Sequence, residues 1–122
     1  MGKWVSEAVL DGALAVVASA TRMVALSGQP ASFAQAESGK LAEVPLLSAD
    51  FQLAPGEVSG RRIGISAKSG VPVLAGGTAD HVALLDPEAN RLVYVTTCPP
   101  QSLSAGGSVN FAGWSIEIGD PV

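Results

Sequence analysis

The stretch HVALLDPEANRLVYVTTC, residues 81–98, constrains the fold more than any other part of the chain. It contains two apolar runs, and the second is made of β-branched, aromatic and small residues, which favour a pleated, half-buried strand. Between the runs Asp86 precedes Pro87. Proline presets φ at the second position of a type I turn, while the aspartate carboxylate can accept a backbone N–H. The stretch therefore predicts a β-hairpin that nucleates an all-β domain.

The composition is that of one small domain with few charges. The chain has 122 residues, 48% of them hydrophobic, which is enough for one core and predicts a single domain over residues 1–122. Charged residues make up 15%, against about a quarter in an ordinary soluble domain. Either neighbouring molecules cover much of the surface, or Ser, Thr and Gln supply its polarity. The net charge of −4 offers nothing to a phosphate backbone, so nucleic acid is not an expected partner.

No membrane segment is expected, and a signal peptide is disfavoured. The apolar run near the N-terminus contains Glu7 and Asp11, whereas the core of a signal peptide is free of charge. The triplet Ala-Ser-Ala at residues 18–20 does imitate a cleavage site. No run approaches the roughly 20 apolar residues of a membrane span. Synthesis in the cytoplasm is the default expectation.

Residues 4–20 predict the one helix of the chain. Ser6 is available as an N-cap, and Glu7 lies in the first turn, where the helix dipole favours an anion. Apolar residues recur at spacings of three and four and so form one stripe, with Asp11 on the opposite side. The stripe consists of Val5, Val9, Ala13 and Val16 or Val17, with Trp4, Ala8 and Leu14 beside it. Because so short a helix is unstable alone in water, we expect the stripe to pack on a sheet or on another subunit.

The remaining residues, about 21–120, predict a β-sandwich or a jelly-roll-like barrel. We expect about seven or eight short antiparallel strands, because turn signals recur every eight to twelve residues or so. Residues 61–68 and 114–118 alternate most cleanly between apolar and polar side chains. Residues 32–40 are weakly patterned and predict a single helical turn around residues 33–36. An unpaired last strand at 114–118 would invite association with another copy.

No catalytic or metal-binding motif is legible. His81 is the only histidine and Cys98 the only cysteine, too few for a metal cluster built from these residues. We interpret His81 as structural, packing or bonding a backbone carbonyl, and Cys98 as a small buried hydrophobe. No serine lies in a Gly-x-Ser-x-Gly context. We therefore expect no enzyme, no metal and no cofactor, and solvated carboxylates at Asp86, Glu88, Glu117 and Asp120.

The two tryptophans are candidates for contact with a partner, because exposed aromatic side chains bind sugars and anchor interfaces. Trp114 begins the last predicted strand, where it would fill the core or seal a subunit contact, and Trp4 could do either from the helix. Arg61 and Arg62 are neighbours on a predicted strand and so point to opposite faces. This argues against a phosphate clamp, and we expect one of the two to pair with an acid.

Four segments together resemble a small protein encoded among the virion structural genes of tailed bacteriophages and prophages. They are WVSEAVLDGAL, SGRRIGISAKSGVPV, TADHVALLDPEANRLVYVTTCPPQSLSAGGSVNF and WSIEIGDP, which span nearly the whole chain. The order of a His-Val-Ala-Leu run, a turn, a Tyr-Val-Thr strand and a Gly-rich loop before Val-x-Phe is also similar to β-sandwich modules of phage head fibres, collars and decoration proteins. The resemblance implies a structural component of the virion.

Among virion roles, a decoration or cement protein best suits a chain that is small, acidic, poor in charge and rich in β-structure. Such a protein would bind as an oligomer, with a trimer favoured, where capsid subunits meet. Its partners would be further copies of itself and the major capsid protein or another virion protein. A tail, collar or baseplate component is the nearest alternative. From a different class comes a carbohydrate-binding or adhesin module with Trp114, Tyr94 and Trp4 as platforms. The interface candidates are Trp4, Val5, Val9, Ala13, Val16 and Trp114.

Overall fold

The computed structural model describes residues 2–122. Over this range the chain is mainly β with an N-terminal helix, as predicted, but it has nine strands where about seven or eight were expected, and a second, shorter helix. The elements in chain order are α1 (Glu7–Val17), β1 (Arg22–Leu26), α2 (Phe33–Gly39), β2 (Lys40–Pro45), β3 (Phe51–Pro55), β4 (Arg61–Ile65), β5 (Lys68–Pro72), β6 (Gly77–Asp86), β7 (Arg91–Leu103), β8 (Ser108–Phe111) and β9 (Trp114–Ile118).

The strands form three antiparallel sheets around one large core. The first sheet has the order β2-β1-β6-β7, the second β3-β4-β9, and the third is the pair β5-β8. A bridge between Ala42 and Val73 joins the pair to the edge of the first sheet. The core takes Met23 from the first sheet, Ile63 from the second and Phe111 from the third. The result is a β-sandwich-like fold.

β6 and β7 form the predicted hairpin, which extends beyond the predicted range at both ends. Leu84 lies opposite Tyr94, and the pairing continues to Gly77 and Leu103. The connection is a 3₁₀ turn, Pro87–Ala89, that ends at Asn90 with φ of 48°. Asparagine enters this left-handed region more easily than most residues with a side chain. The Asp-Pro signal therefore marked the turn correctly.

β1 and β6 are covered on both faces, which explains why their sequences do not alternate. Met23 and Leu84 face the large core. Val24 and Leu85 face a second, smaller core on the outer side of the sheet, which Ala36 of α2 completes. A strand buried on both faces is a continuous apolar run.

α2 is two turns long, where the sequence predicted one. The Ser32 hydroxyl accepts the N–H of Gln35 at 3.2 Å and so caps its first turn. Glu37, in its last turn, lies 2.9 Å from the Arg22 guanidinium and 3.2 Å from the Lys40 ammonium. These contacts attach α2 to β1 and β2.

α1 packs on the sheets with a different face from the predicted one. Leu10, Leu14 and Val17 are buried, while Val9 and Val16 stay exposed. Apolar residues surround most of this helix, so their spacing allows two stripes, and the stripe that contains both leucines is the buried one. Of the predicted stripe, only Val17 packs on this chain's own sheets, whereas Val9 and Val16 do not. Contact of these exposed valines with another subunit stays a prediction.

Two polar contacts determine how α1 is placed. Ser6 caps the helix, as predicted, by accepting the N–H of Val9 at 3.3 Å. Asp11, expected on the outer side, instead accepts from Arg61 Nε at 2.8 Å. This bond attaches α1 to β4 and confirms that one of the two adjacent arginines pairs with an acid.

The hairpin between β3 and β4 requires glycine at position 60. Gly60 has φ of 70°, and a Cβ there would lie 1.9 Å from the carbonyl oxygen of Ile118. We expect Gly60→Ala to lower the free energy of unfolding by about 2–4 kcal/mol, because both backbone strain and a clash oppose it. Urea unfolding measures the change.

Gly106→Ala is the matched control, since Gly106 has φ of 84° but nothing within 4 Å of its Cβ position. Its free energy of unfolding should fall only by the cost of a left-handed conformation for a residue with a side chain, about 1–2 kcal/mol. Equal losses in the two variants would contradict the steric explanation.

A carboxylate of β9 holds the tip of the same hairpin. Glu117 accepts the backbone N–H of Glu57 at 2.6 Å and that of Val58 at 3.2 Å. These bonds lower the pKa of Glu117. Its stabilising effect is therefore present above the ordinary glutamate pKa, about 4.3, and disappears as the pH falls through the lower, folded value.

We expect Glu117→Gln to reduce the loss of stability that acid causes between about pH 5 and pH 2. Urea midpoints at a series of pH values measure it. Glu57→Gln, at an exposed acid on the same tip, controls for the removal of one charge. A pH dependence that is the same in Glu117→Gln and the wild type would overturn this assignment.

Candidate interaction surfaces

α1 and the residues before it leave an apolar surface uncovered, which we call the helix face: Trp4, Val5, Val9, Ala13 and Val16. Three of its side chains are largely in solvent, since Trp4 is 84% exposed, Val9 61% and Val16 49%. Ala13 is exposed and Val5 half-buried. Contiguous exposed apolar side chains on a soluble domain mark contact sites more often than chance. The predicted interface stripe is thus present as a surface.

The N-terminal segment, residues 2–6, lies against the end of the chain. A groove of about 220 Å³ is formed by Lys3, Trp4, Val5 and Glu7 on one side and Asp120 and Pro121 on the other. Ser59 accepts the N–H of Asp120 at 3.0 Å, which brings the β3–β4 hairpin tip to the same end of the molecule. Val58 on that tip is 91% exposed. Apolar and charged side chains are therefore mixed at this end.

A second surface is a cleft of about 510 Å³ between β7, β8 and β9. No charged side chain is among the residues that line it, and they include Val82, Thr96, Cys98, Phe111, Ala112 and Trp114. Within residues 2–122, β7 pairs only with β6, β8 only with β5 and β9 only with β4. The cleft is therefore uncharged, with polar groups from Thr97, Gln101, Asn110 and Ser115 beside its apolar residues. It is bordered by strand edges that have no strand beside them.

Trp114 packs against the large core and also lines the cleft. Its ring lies 5.9 Å from that of Tyr94, at an angle of 36°. Its indole N–H is buried without a hydrogen-bond acceptor, an arrangement that typically costs about 1–3 kcal/mol. Of the predicted alternatives, core packing is observed for Trp114, and its place in a subunit contact stays a prediction.

The structure does not bring Trp114 together with the helix face. Trp114 lies opposite Ile65 at one end of β4, and Arg61, which binds Asp11 of α1, is at the other end. Four residues of extended strand separate the two ends by about 13 Å. The six interface candidates therefore belong to two surfaces.

His81 and Cys98 are both close to the carboxylate of Asp80. His81 Nδ1 is 2.7 Å from Oδ1 of Asp80, and the same oxygen accepts the N–H of Gly28 at 2.8 Å. The partner of His81 is thus a carboxylate, not the predicted backbone carbonyl, and these bonds lower the pKa of Asp80. Burial and the negative charge of Asp80 raise the pKa of the Cys98 thiol, which disfavours the reactive thiolate.

The acids predicted to be solvated are in part engaged by the fold. Asp86 lies 3.3 Å from the guanidinium of Arg91, and Glu117 holds the hairpin tip as described. Among residues 2–122, no three His, Cys, Asp or Glu side chains are grouped as a metal ion would require. The carboxylates of the described chain thus act in turns and ion pairs.

No protein-family model, curated protein or solved structure matches this chain. The fold alone defines the class, a mainly β, antiparallel domain with a helix at its N-terminal end. Neither helix in residues 2–122 has the length and apolar character needed to cross a membrane.

The Asp11–Arg61 pair should control how firmly α1 is held. We expect Asp11→Asn to make the backbone amides of α1 exchange roughly two- to fivefold faster, because a partly exposed ion pair contributes modestly. Hydrogen exchange followed by mass spectrometry measures the rates. Glu88→Gln, an exposed acid on the β6–β7 turn, serves as control. Unchanged exchange in Asp11→Asn would mean that apolar packing alone holds the helix.

Proposed function

We propose that this protein is a structural subunit that assembles with copies of itself and decorates the capsid of a tailed bacteriophage. The observation that carries the proposal is the helix face, which places Trp4, Val9 and Val16 in solvent on an element whose other side is already packed. Water contact at these side chains is unfavourable. Tryptophan is also among the residues that most often dominate binding energy at interfaces.

The surface composition agrees with this role. Charged residues are few, at 15%, and the net charge is −4, so long-range repulsion between copies is weak. A standard interface covers about 800 Å² on each partner. The helix face would form the centre of such an interface, with the polar residues of α1 as its rim.

The resemblance to phage virion proteins supplies the setting. As a cement protein, an oligomer, with a trimer favoured, would bridge neighbouring capsid subunits. Apolar burial at those sites would raise the barrier to rupture of the shell under the pressure of packaged DNA. The protein would then reside in the virion, with the major capsid protein as its second partner. A tail, collar or baseplate position uses the same surfaces and is the alternative within this class.

A sugar-binding function is the second candidate, and the groove at the N-terminal segment favours it. There Trp4 stands beside the charged side chains of Lys3, Glu7 and Asp120, and aromatic rings flanked by polar groups are suited to sugars. A glycan array with the wild type and Trp4→Ala would reveal such binding. Loss of glycan signal in the variant would favour an adhesin module over a cement protein.

The native mass tests the main proposal. Light scattering coupled to size-exclusion chromatography, over a range of concentrations, should give a closed oligomer for the wild type. We expect the double variant Val9→Glu and Val16→Glu to weaken self-association by roughly tenfold or more, because it places charges in the apolar interface.

Leu74→Glu is the matched control, since Leu74 is also exposed but lies after β5, outside the helix face. It should assemble like the wild type. Circular dichroism checks that all variants keep their strand content. A wild type that is monomeric at every concentration would overturn self-assembly.

A further inference from the structure

We propose that the cleft of one copy receives Trp4 from the N-terminal segment of a second copy. This inference rests on the proposed self-assembly and names the surface that the helix face would meet. The contact would then join two different surfaces, the N-terminal segment of one copy and the cleft of another.

The segment that would be donated exposes its tryptophan and is not part of any sheet. Residues 2–6 belong to no helix or strand, and Ser6 marks the start of α1 as its N-cap. Trp4 is 84% exposed. An indole is one of the largest apolar groups a protein can bury, and in this copy most of it remains in water.

The cleft has the properties that an indole and a short extended segment need. Its volume of about 510 Å³ exceeds that of one side chain, and apolar groups from Val82, Phe111 and Trp114 line it. The unpaired edges of β7, β8 and β9 offer backbone groups to the backbone of an arriving segment. Pro99 on β7 lacks an N–H, so the pairing would use residues on either side of it.

A second copy is the donor that we assign, because in its own chain the segment lies at the far end of β9 from Trp114. It lies beside Asp120 and Pro121, beyond one end of β9, whereas Trp114 begins the other end. The strand from Trp114 to Ile118 alone spans about 13 Å. Trp4 precedes the N-cap Ser6 by two residues, a reach of about 7 Å.

Charge also favours this occupant. Lys3 is the charged side chain of residues 2–6. Asp80 follows the cleft residue Ala79 and is partly exposed. Its carboxylate also accepts the N–H of Gly28 and lies against His81 Nδ1. An ammonium that arrives next to Trp4 would find this negative charge at the rim.

A contact between two different surfaces repeats from copy to copy and closes into a ring when the rotation allows. Each subunit would then give one segment and receive one. A trimeric ring needs three such contacts.

The single native cysteine, Cys98, permits a direct test because it lines the cleft. The donor chain carries Val5→Cys together with Cys98→Ser, and the acceptor chain is the wild type. Equimolar mixing with oxidised glutathione should produce a donor–acceptor disulfide, which peptide mass spectrometry locates between position 5 and Cys98. A disulfide within one donor chain is impossible, since that chain lacks Cys98.

The matched control carries Val58→Cys with Cys98→Ser, because Val58 is 91% exposed at the same end of the molecule. We expect its cross-link to Cys98 to form at least tenfold more slowly. Equal rates for the two donors would overturn the proposal. Absence of the position 5 cross-link in a protein that is oligomeric would overturn it while leaving self-assembly intact, and a monomeric wild type would overturn both.

A change on the acceptor side gives an independent readout. Thr96→Lys places a charge in the cleft, whereas Thr78→Lys places one on an exposed residue of β6 that does not line it. The first should weaken the oligomer at least tenfold and the second should not. Unaltered assembly in a folded Thr96→Lys protein would overturn the assignment of the cleft as the acceptor.

Discussion

Burial of β1 and β6 on both faces is the constraint on which the rest of the structure depends. Their apolar side chains need cover on two sides, and no single layer supplies both. The second and third sheets enclose the inner face, where Met23 and Leu84 lie. α2 covers the outer face over Val24 and Leu85. The position of α2, and of the charges that attach it to β1 and β2, follows from this demand.

Much of this fold could be predicted from local sequence. The central hairpin, its turn after Asp86 and the bounds of β9 match the structure, because alternation and turn residues are local signals. The orientation of α1 was wrong, since apolar residues on nearly all sides leave the choice of face to tertiary packing. The second turn of α2 was missed because seven residues are too few to display a helical period.

The helix face and the cleft differ in how far the sequence alone predicted them. The helix face was legible as a stripe of valines with Trp4 nearby, although its exposure depends on Leu10 and Leu14 taking the buried side. The cleft was invisible because segments far apart in the chain build it, and their unpaired edges exist only after the sheets form. Trp114, an aromatic residue at the start of the last strand, was its one signal.

The pairing of β1 with β6 has a consequence for how the chain folds. Arg22 lies opposite Leu85, so the innermost ladder closes a loop of about 60 residues. The hairpin of β6 and β7 needs only a short turn and can form within about 1–10 μs. We therefore expect the β6–β7 hairpin to form first and β1 to pair with β6 afterwards. Arrival of β1, not formation of the hairpin, would then set the folding rate.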